Sequence, residues 1–262
     1  MKKTKYLAAC IAAVMALLII GCGSGDDDEH GIDYDAEKWA IAGTTLVRYT
    51  GAEADVRVPD GVTVIGEYAF KYREGVVTSV TLPESVKIIE DSAFYGCARL
   101  ASVKMPGSVT MLGEYAFYEC ASLASVTIPD SVTSIGDYAF SGCASLASVT
   151  IPDSVKSIGY MAFAQCYLES LTIGKGVESI GLGAFVNLGV SKLMEVNYGG
   201  AMEQWRSIKN SSDNGGATIT GVIFSCTGDG KGENVIIVCQ DGKLRWVEAD
   251  SNWIRKPDPS TQ

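Results

Sequence analysis

The chain has 262 residues, 47% of them hydrophobic, and its 21 basic and 31 acidic side chains give a formal net charge of −10. Because the overall charge is strongly acidic, electrostatic attraction to nucleic acid or to an anionic lipid surface is excluded as a general basis for function. The hydrophobic content is enough to form one extended core.

The first 21 residues are predicted to be a lipoprotein signal peptide. Three lysines precede an apolar run at residues 7–20, which is too short to span a membrane and is typical of a secretory signal. The run leads into Cys22 through the sequence Ile-Ile-Gly, which is similar to a bacterial lipobox, so Cys22 is the predicted lipidation site. The alternative is an ordinary signal peptide with a chance cysteine. Residues 22–31 then form an acidic tether.

The central part of the chain is built from copies of one sequence. Four near-identical copies begin at Val80, Val103, Val126 and Val149, and looser copies begin at Val56 and Leu171. A phenylalanine recurs at spacings of 24, 23, 23, 23 and 22 residues, at Phe70, Phe94, Phe117, Phe140, Phe163 and Phe185. A fixed period of roughly 20–29 residues that contains Leu-x-x-Val-x-Ile predicts a leucine-rich-repeat solenoid. We expect about six coils of 22–24 residues over residues 56–193.

Each coil is expected to contain two strand segments and a turn. In the copy at 123–146, residues 123–128 alternate in the manner of a strand, and Pro129 ends it because proline cannot donate a ladder hydrogen bond. Residues 132–135 return along the opposite side, and 137–140 form a short turn or helical piece that places Phe140 in the core. One coil cannot bury these side chains alone, so the coils must stack.

Four cysteines recur once per coil, at Cys97, Cys120, Cys143 and Cys166. One interpretation is redox sensing or disulfide stapling, and the other is that each cysteine is a small buried hydrophobic residue. Stacked coils hold equivalent Cβ atoms ~4.8 Å apart, whereas a disulfide requires about 3.8 Å, so the second interpretation is favoured. A disulfide between Cys226 and Cys239 stays open.

No zinc site is expected, because the sequence lacks a C-x-x-C pair and its sole histidine is His30 in the tether. Catalytic motifs such as H-E-x-x-H, G-x-S-x-G and a phosphate-binding loop are also absent from the sequence. We therefore predict a protein that is not an enzyme and that uses neither a metal nor another cofactor.

The repeat resembles the BspA-like leucine-rich-repeat family of bacterial surface proteins. The shared pattern is V-x-I-P-x-S-V-x-x-I-G-x-x-A-F-x-x-C-x-x-L, and residues 126–146 match it nearly in full. The resemblance covers roughly residues 37–210. It implies a mainly β repeat solenoid with β caps at both ends, and no catalytic residues that could be carried over. Some members of the family are adhesins that bind matrix or plasma proteins such as fibronectin and fibrinogen.

The flanking segments agree with this resemblance. Residues 39–49 look like the strand pair that opens such arrays, which indicates an N-terminal cap at 32–55. Residues 198–208 look like the closing element, in which threonine is usual where Ala201 stands. Further on, residues 235–247 read as a hairpin with an Asp-Gly turn, so we assign 194–262 to a C-terminal cap and tail.

Two surfaces are candidates for binding. The first is the outward side of the strands, where the positions between the apolar anchors hold Thr81, Lys104, Thr127, Thr150 and Thr172. The alternative is that serine and threonine are there because they suit exposed strands. The second surface is formed by tyrosines close to the Ala-Phe segment, at Tyr68, Tyr72, Tyr95, Tyr115, Tyr118, Tyr138 and Tyr160. Tyrosine is favoured at interfaces, but these side chains could instead pack between coils.

The predicted function is that of a lipid-anchored protein-binding or adhesion module on the bacterial cell surface or outer membrane. Its partner would be a host matrix or plasma protein, or the surface of another microbe. Membrane contact would occur through the lipid alone, and nucleic acid is not expected as a partner. The alternative is a periplasm-facing lipoprotein that serves as a scaffold for an envelope complex. The oligomeric state and the identity of the ligand are left open by the sequence.

Overall fold

The structure is a computed structural model, and it describes residues 32–33, 38–71, 75–187, 195–210, 236–240, 242–247 and 252–255. The predicted sites Cys22, His30, Tyr72 and Cys226 lie outside the described residues. Within these residues the strands are β1 (Ile32–Asp33), β2 (Trp39–Ala42), β3 (Thr45–Tyr49), β4 (Asp55–Arg57), β5 (Val64–Ile65), β6 (Ser79–Thr81), β7 (Ile88–Ile89), β8 (Ser102–Lys104), β9 (Met111–Leu112), β10 (Ser134–Ile135), β11 (Ser148–Ile151), β12 (Ser157–Ile158), β13 (Ser170–Ile173), β14 (Ser179–Ile180), β15 (Glu195–Tyr198), β16 (Lys209–Asn210), β17 (Ile236–Cys239), β18 (Gly242–Val247) and β19 (Asn252–Arg255). A short helix, α1 (Met202–Ser207), lies between β15 and β16.

The fold is a β-solenoid of about six coils, as the repeat predicts. We number the coils 1 to 6 by their phenylalanines, from Phe70 to Phe185. Each coil contributes a two-residue strand to one long parallel sheet, in the order β5, β7, β9, β10, β12 and β14. The register advances by one repeat at each step, so that Ile89 lies opposite Leu112, which in turn lies opposite Ile135. This sheet is the return side expected for residues 132–135.

The opposite side of the coils carries a second set of strands, which we call the strand face. Here β4, β6 and β8 pair in parallel, and β11, β13 and β15 do the same. Their inward valines and leucines are buried, whereas the residues on either side of each inward residue point to solvent. The alternation places apolar side chains in the core and leaves a polar surface outside.

The strand expected at 123–128 does not form, and this corrects the sequence analysis. Ser125 to Thr127 of coil 4 make no ladder hydrogen bonds, so the strand face is divided between coils 3 and 5. Val126 is only half-buried against the core. The division adjoins Met105, the one straight-chain residue at a position otherwise held by valine, leucine or isoleucine. The Met105 side chain is half-buried, and an unbranched, flexible side chain defines the position of a strand less well than a branched one.

A third line of contact between coils runs through the Ala-Phe segment. The backbone N–H of each phenylalanine donates to the carbonyl of the alanine in the next coil, at 2.9 Å from Phe70 to Ala93 and at 2.7 Å from Phe140 to Ala162. Residues 137–140, expected as a turn or helical piece, form hydrogen-bonded turns. The repeated alanines are fully buried, which explains why a small residue precedes each phenylalanine.

The phenylalanines form a continuous stack through the centre of the solenoid. Adjacent ring centroids are 4.6–5.4 Å apart and the ring planes differ by 5–15°. Five of the six side chains are completely buried, and Phe185 at the end of the array is 5% exposed. Offset stacked rings attract each other beyond the effect of the buried area, so the stack fixes the position of each coil on the next.

Glycine permits the close approach of the coils beside the return strands. A Cβ atom on Gly136 would lie 2.5 Å from the backbone of Gly113, and one on Gly159 would lie 2.5 Å from the backbone nitrogen of Asp137. Real Cβ atoms do not occur at such distances, so only glycine fits unless the backbone moves. Coil 2 is an exception, because it has Glu90 instead of glycine at the equivalent position.

The serine that follows the Pro-x pair in each near-identical copy links neighbouring coils. Ser85 Oγ donates to the carbonyl of Val62 at 2.7 Å, and Ser108 Oγ donates to that of Val86 at 2.6 Å. Ser131 Oγ repeats the contact with Val109. In the next coil Ser154 Oγ is buried but has no hydrogen-bond partner among the described residues.

An antiparallel hairpin closes the N-terminal end, where β3 pairs in parallel with β5. Trp39 and Tyr49 continue the aromatic stack, with ring centroids 4.7 Å apart. Lys38 Nζ donates to Glu53 at 2.7 Å, and the Tyr49 hydroxyl donates to the same carboxylate. These two hydrogen bonds lower the pKa of Glu53 to about 2, because they stabilise its charged form.

At the C-terminal end both sheets continue beyond coil 6. β15 and β17 extend the strand face in parallel, and β18 then pairs with β17 as an antiparallel hairpin, with Cys239 opposite Gly242. Trp205 of α1 is fully buried and its ring centroid lies 5.3 Å from that of Tyr198. Ala201 provides no side-chain cap, and the Gln204 side chain accepts the Ala201 N–H at 2.8 Å.

Phe140→Ala is expected to lower the free energy of unfolding by about 3–5 kcal/mol, because it leaves a cavity in the middle of the stack. Denaturant titration of the variant and the wild type measures the loss. Tyr167→Ala is the control, since Tyr167 is 47% exposed and should cost little. A loss below about 1 kcal/mol for Phe140→Ala would contradict the position of the core.

Ser131→Ala is expected to cost about 1 kcal/mol, because it removes the hydrogen bond to the Val109 carbonyl. Ser154→Ala is the matched control: it removes a hydroxyl at the same position of the next coil, and that hydroxyl has no partner among the described residues. Its cost should be smaller than that of Ser131→Ala in the same denaturant titration. Equal losses would argue against the contribution of the serine contacts.

Glu53→Gln is expected to remove part of the acid sensitivity of the protein. The pKa of Glu53 in the folded state lies below its ordinary value of 4.5, so the carboxylate stabilises the fold above about pH 4.5, and this stabilisation is lost as the pH falls towards 2. Denaturant midpoints at pH 6 and at pH 2.5 should therefore differ more for the wild type than for the variant. Glu84→Gln, at an exposed site, is the control, and identical pH dependence of wild type and Glu53→Gln would refute this account.

Candidate interaction surfaces

The first candidate surface is the outward row on the strand face. Thr81 lies beside Lys104 in register, and Thr150 lies beside Thr172. Lys104 and Thr150 are exposed, whereas Thr81 and Thr172 are half-buried. These short polar side chains alternate with buried anchors, so the row is a shallow polar surface that a partner could contact without the strands moving.

Thr127 occupies a different setting from the other members of the row. It is exposed, but it lies in the segment of coil 4, between the strands of coils 3 and 5, that forms no strand. Its backbone is therefore not held by the ladder that fixes Lys104 on one side and Thr150 on the other. The row consists of two ordered parts separated by this segment.

The strand face is longer than the sequence analysis predicted. β15 adds exposed Glu195 and Asn197 to the row, with Asn197 in register with Thr172. Lys243 on β18 donates to Glu195 at 3.0 Å and reaches across β17 to do so. The alternation of Val196 and Tyr198 as buried anchors was the available signal, but the irregular spacing after coil 6 hid it.

The second candidate surface is a continuous band of tyrosines along one edge of the solenoid. We call the tyrosine band the set Tyr68, Tyr95, Tyr115, Tyr118, Tyr138 and Tyr160. Its ring centroids are separated by 6.4 Å from Tyr68 to Tyr95, by 5.0 Å from Tyr95 to Tyr118 and by 5.6 Å from Tyr118 to Tyr115. The next two separations are 4.8 Å to Tyr138 and 5.2 Å from there to Tyr160.

The tyrosine rings of the band are partly buried and partly accessible to solvent. Tyr68 is 40% exposed and the other five side chains are half-buried, so each ring packs against neighbours and also meets solvent. Both expectations for these tyrosines, an interface surface and packing between coils, are compatible with this geometry. Tyr68, Tyr115 and Tyr138 have φ angles of 54–57°, in the left-handed region that bulky residues seldom adopt. Gly183 holds the same position in coil 6 with a φ of 64°.

Acidic side chains lie next to the tyrosine band. Burial raises the pKa of Tyr115, and the charges of Glu114 and Asp137 raise it further. Burial likewise raises the pKa of Tyr118, with a further contribution from the charge of Glu119. Because a neighbouring negative charge disfavours the phenolate, these tyrosines stay protonated beyond their ordinary range. The band is therefore a row of neutral phenols in an acidic setting.

The four repeated cysteines lie inside the solenoid and face no surface. Each Sγ donates to the carbonyl of the phenylalanine in the preceding coil, at distances from 3.1 Å for Cys166 to 3.5 Å for Cys97. Burial raises the pKa of the Cys120 and Cys166 thiols well above the ordinary value. A thiol that stays protonated is a poor nucleophile and a poor metal ligand. This arrangement supports a packing role. Because Cys226 is not described, a disulfide with Cys239 stays a prediction.

An open cleft lies between coil 6 and the C-terminal elements. Its volume is about 450 Å³, and its lining includes Lys175, Glu178, Tyr198 and Gln204. Across the parts of the chain that the structure describes, no three histidine, cysteine or acidic side chains are grouped so as to hold a metal ion. In the same parts, no helix has the length and apolar character needed to cross a membrane.

Comparison with known proteins places these features in context. A family model of the BspA type leucine rich repeat region matches residues 63–192 in six copies. Leucine-rich-repeat solenoids typically serve as non-catalytic scaffolds for protein interactions. No curated protein matches the chain.

The solved structures that are similar to this chain include two from bacterial leucine-rich-repeat proteins. The leucine rich repeat protein of T. pallidum, TpLRR, is 31% identical, and the match covers 66% of this chain and 84% of that one, with a TM-score of 0.50. A leucine rich cell surface protein from Faecalibacterium prausnitzii A2-165 is 24% identical, over 92% of this chain and 62% of that one, with a TM-score of 0.54. The second likeness concerns the fold alone.

Proposed function

Because the chain belongs to the BspA-type leucine-rich-repeat family, we propose that it is a non-catalytic protein-binding module, held on the bacterial cell envelope by a lipid anchor at Cys22. The observation that carries the binding role is the row of polar side chains on the strand face, which is in register from Thr81 to Lys104 and again from Thr150 to Thr172. A rigid surface of this kind presents many contacts at little cost in conformational entropy.

The anchor and its orientation rest on the sequence around Cys22. A single acyl chain binds a membrane only marginally, so durable attachment requires a multiply acylated cysteine. The Faecalibacterium protein of similar fold is described as a cell surface protein. We propose the same outward placement here, with residues 22–31 as a polar spacer between the lipid and the solenoid.

If the partner binds the strand face, a triple variant with Thr127→Lys, Thr150→Lys and Thr172→Lys should bind it at least about ten-fold more weakly. The reason is that the substitutions place three long cationic side chains where close contact is required. Immobilised fibronectin and fibrinogen, the ligands suggested by the family, are the first probes. The matched control carries the same added charge on exposed turns of coils 2 to 4, as Ala98→Lys, Ala121→Lys and Ala144→Lys. If neither probe binds the wild type, or if both triple variants bind as well as the wild type, these ligands at this surface are excluded.

Protease treatment of intact cells tests the proposed location. Loss of the solenoid from a blot, with a periplasmic marker intact, is the expected result for a domain outside the cell. A protected solenoid would reject surface display and favour a scaffold that faces the periplasm. Cross-linking would then identify its envelope partners.

A further inference from the structure

We propose that the tyrosine band is a docking site for a lysine- and arginine-rich segment of a partner protein. The inference deepens the proposed protein-binding function and rests on it. It concerns an edge of the solenoid distinct from the outward row on the strand face. It combines three observations, namely a series of contacting tyrosine rings, a lysine ammonium group over one of them, and neighbouring carboxylates that take part in none of the ion pairs among the described residues.

The rings provide aromatic surface over five of the six coils. Two columns of the repeat contribute five of the rings: Tyr68, Tyr115 and Tyr138 come two residues before a phenylalanine, whereas Tyr95 and Tyr118 follow one directly. The sixth, Tyr160, comes three residues before a phenylalanine. Tyrosine has few rotatable bonds, and these rings are already held by their neighbours. A partner therefore gains contact area without having to order the rings.

Within the chain itself, a lysine side chain already contacts one of these rings. Lys71 follows Phe70 directly and so occupies the column that holds Tyr95 and Tyr118 in the next two coils. Its Nζ atom lies 4.4 Å from the centroid of the Tyr68 ring. This distance is within the range of a cation–π interaction, in which an ammonium or guanidinium group is attracted to the negative face of the ring.

Negative charge surrounds the remaining rings. The acidic side chains beside the band are Glu67, Asp91, Glu114, Glu119 and Asp137. Asp91 and Asp137 each use one oxygen to accept a backbone N–H of the next coil, at 2.7 Å and 2.6 Å. The ion pairs found within the described parts of the chain involve none of the five. Their charge is thus available to a basic partner.

The occupant that fits is therefore a basic polypeptide segment. Tyr95 stacks on Tyr118, and Tyr115 stacks on Tyr138, so one face of each of these rings is covered by its neighbour. The cationic heads of the segment would lie against the remaining ring surface, and its other charges would meet the carboxylates. An acidic segment would be repelled, and an apolar one would leave the carboxylates desolvated without compensation. The strand face offers neither aromatic anchors nor a comparable run of carboxylates between coils 2 and 5.

The test measures binding of fluorescein-labelled nona-arginine, nona-lysine and nona-glutamate to the full chain in non-ionic detergent, by fluorescence anisotropy. The informative variant is Tyr95→Leu with Tyr118→Leu, which removes two rings and keeps apolar bulk. Neither residue has a positive φ. Tyr95→Phe with Tyr118→Phe keeps both rings and removes only the hydroxyl groups. Tyr167→Leu removes an exposed tyrosine outside the band, and circular dichroism checks that each variant is folded.

We expect the wild type to bind nona-arginine and nona-lysine but not nona-glutamate. Each ring contributes a factor of about 2–5, so the double leucine variant should bind nona-arginine about ten-fold more weakly. The double phenylalanine variant and Tyr167→Leu should bind within two-fold of the wild type, roughly the limit of a conservative change.

A second pair of variants separates local from general charge. Glu114→Gln with Glu119→Gln removes two charges from the band; Gln165 occupies the position of Glu119 in coil 5 with a similar φ, so glutamine is accommodated there. Glu84→Gln with Asp130→Asn removes two exposed charges outside the band. Only the first pair should weaken binding, by about three-fold or more at low salt.

Several results would overturn the inference. These are no binding of nona-arginine by the wild type, equal binding by the double leucine variant, or equal weakening by the two charge-removal pairs. The proposed function has its own readouts in the strand-face triple variant and in protease treatment of cells. If those succeed while the leucine variant has no effect, protein binding stands and the tyrosine band is not its site.

Discussion

The stacking of one phenylalanine ring on the next sets the spacing on which the whole molecule depends. Ring planes that differ by 5–15° at separations of 4.6–5.4 Å require every coil to follow its neighbour with nearly the same orientation. The Phe-to-Ala hydrogen bonds hold the backbone at the same spacing. Since each coil touches only its neighbours, stability accumulates through these contacts and not through any single residue.

Because of this spacing, a side chain that occurs once per coil forms a column along the solenoid. The repeated serines form a row of hydrogen bonds between coils, and the repeated cysteines form a row of buried thiols, each of which donates a hydrogen bond to a carbonyl. A tyrosine becomes a band of contacting rings. The candidate surfaces are therefore properties of the array, since each extends over several coils. They differ in character, because the strand face is polar and nearly neutral in its middle, whereas the tyrosine band is aromatic and acidic.

Much of the fold could be predicted from the sequence, because the same pattern recurs in every coil and identifies positions that a single copy would leave ambiguous. The period placed the phenylalanines and cysteines on one column each, and the Pro and Gly positions separated the two strand segments of a coil. The two ends were predicted in outline, including the hairpin that contains Cys239. The resemblance to a known family added the expectation of capping strands at both ends.

What the sequence did not predict depends on contacts between coils. The sequence around Thr127 does not indicate that this residue lies outside a strand, because its own copy of the repeat has the best alternation of apolar and polar residues. The break in the strand face adjoins Met105, which belongs to the preceding coil. The partners of Ser108 and Ser131 are carbonyls of preceding coils, which a linear pattern does not show. The left-handed positions of Tyr68, Tyr115 and Tyr138 were hidden because glycine, the usual signal, appears there only in coil 6.

The hydrogen bond from each phenylalanine to the alanine of the next coil has a consequence for how such a chain can change in evolution. The bond has the same form at all five junctions, from Phe70 to Ala93 through Phe163 to Ala184. Duplication or loss of a whole coil would recreate an equivalent junction, whereas an insertion of a few residues within a turn would misalign it. The length of the solenoid, and the number of side chains that it presents, can thus be altered in whole-coil steps while the ends remain unchanged.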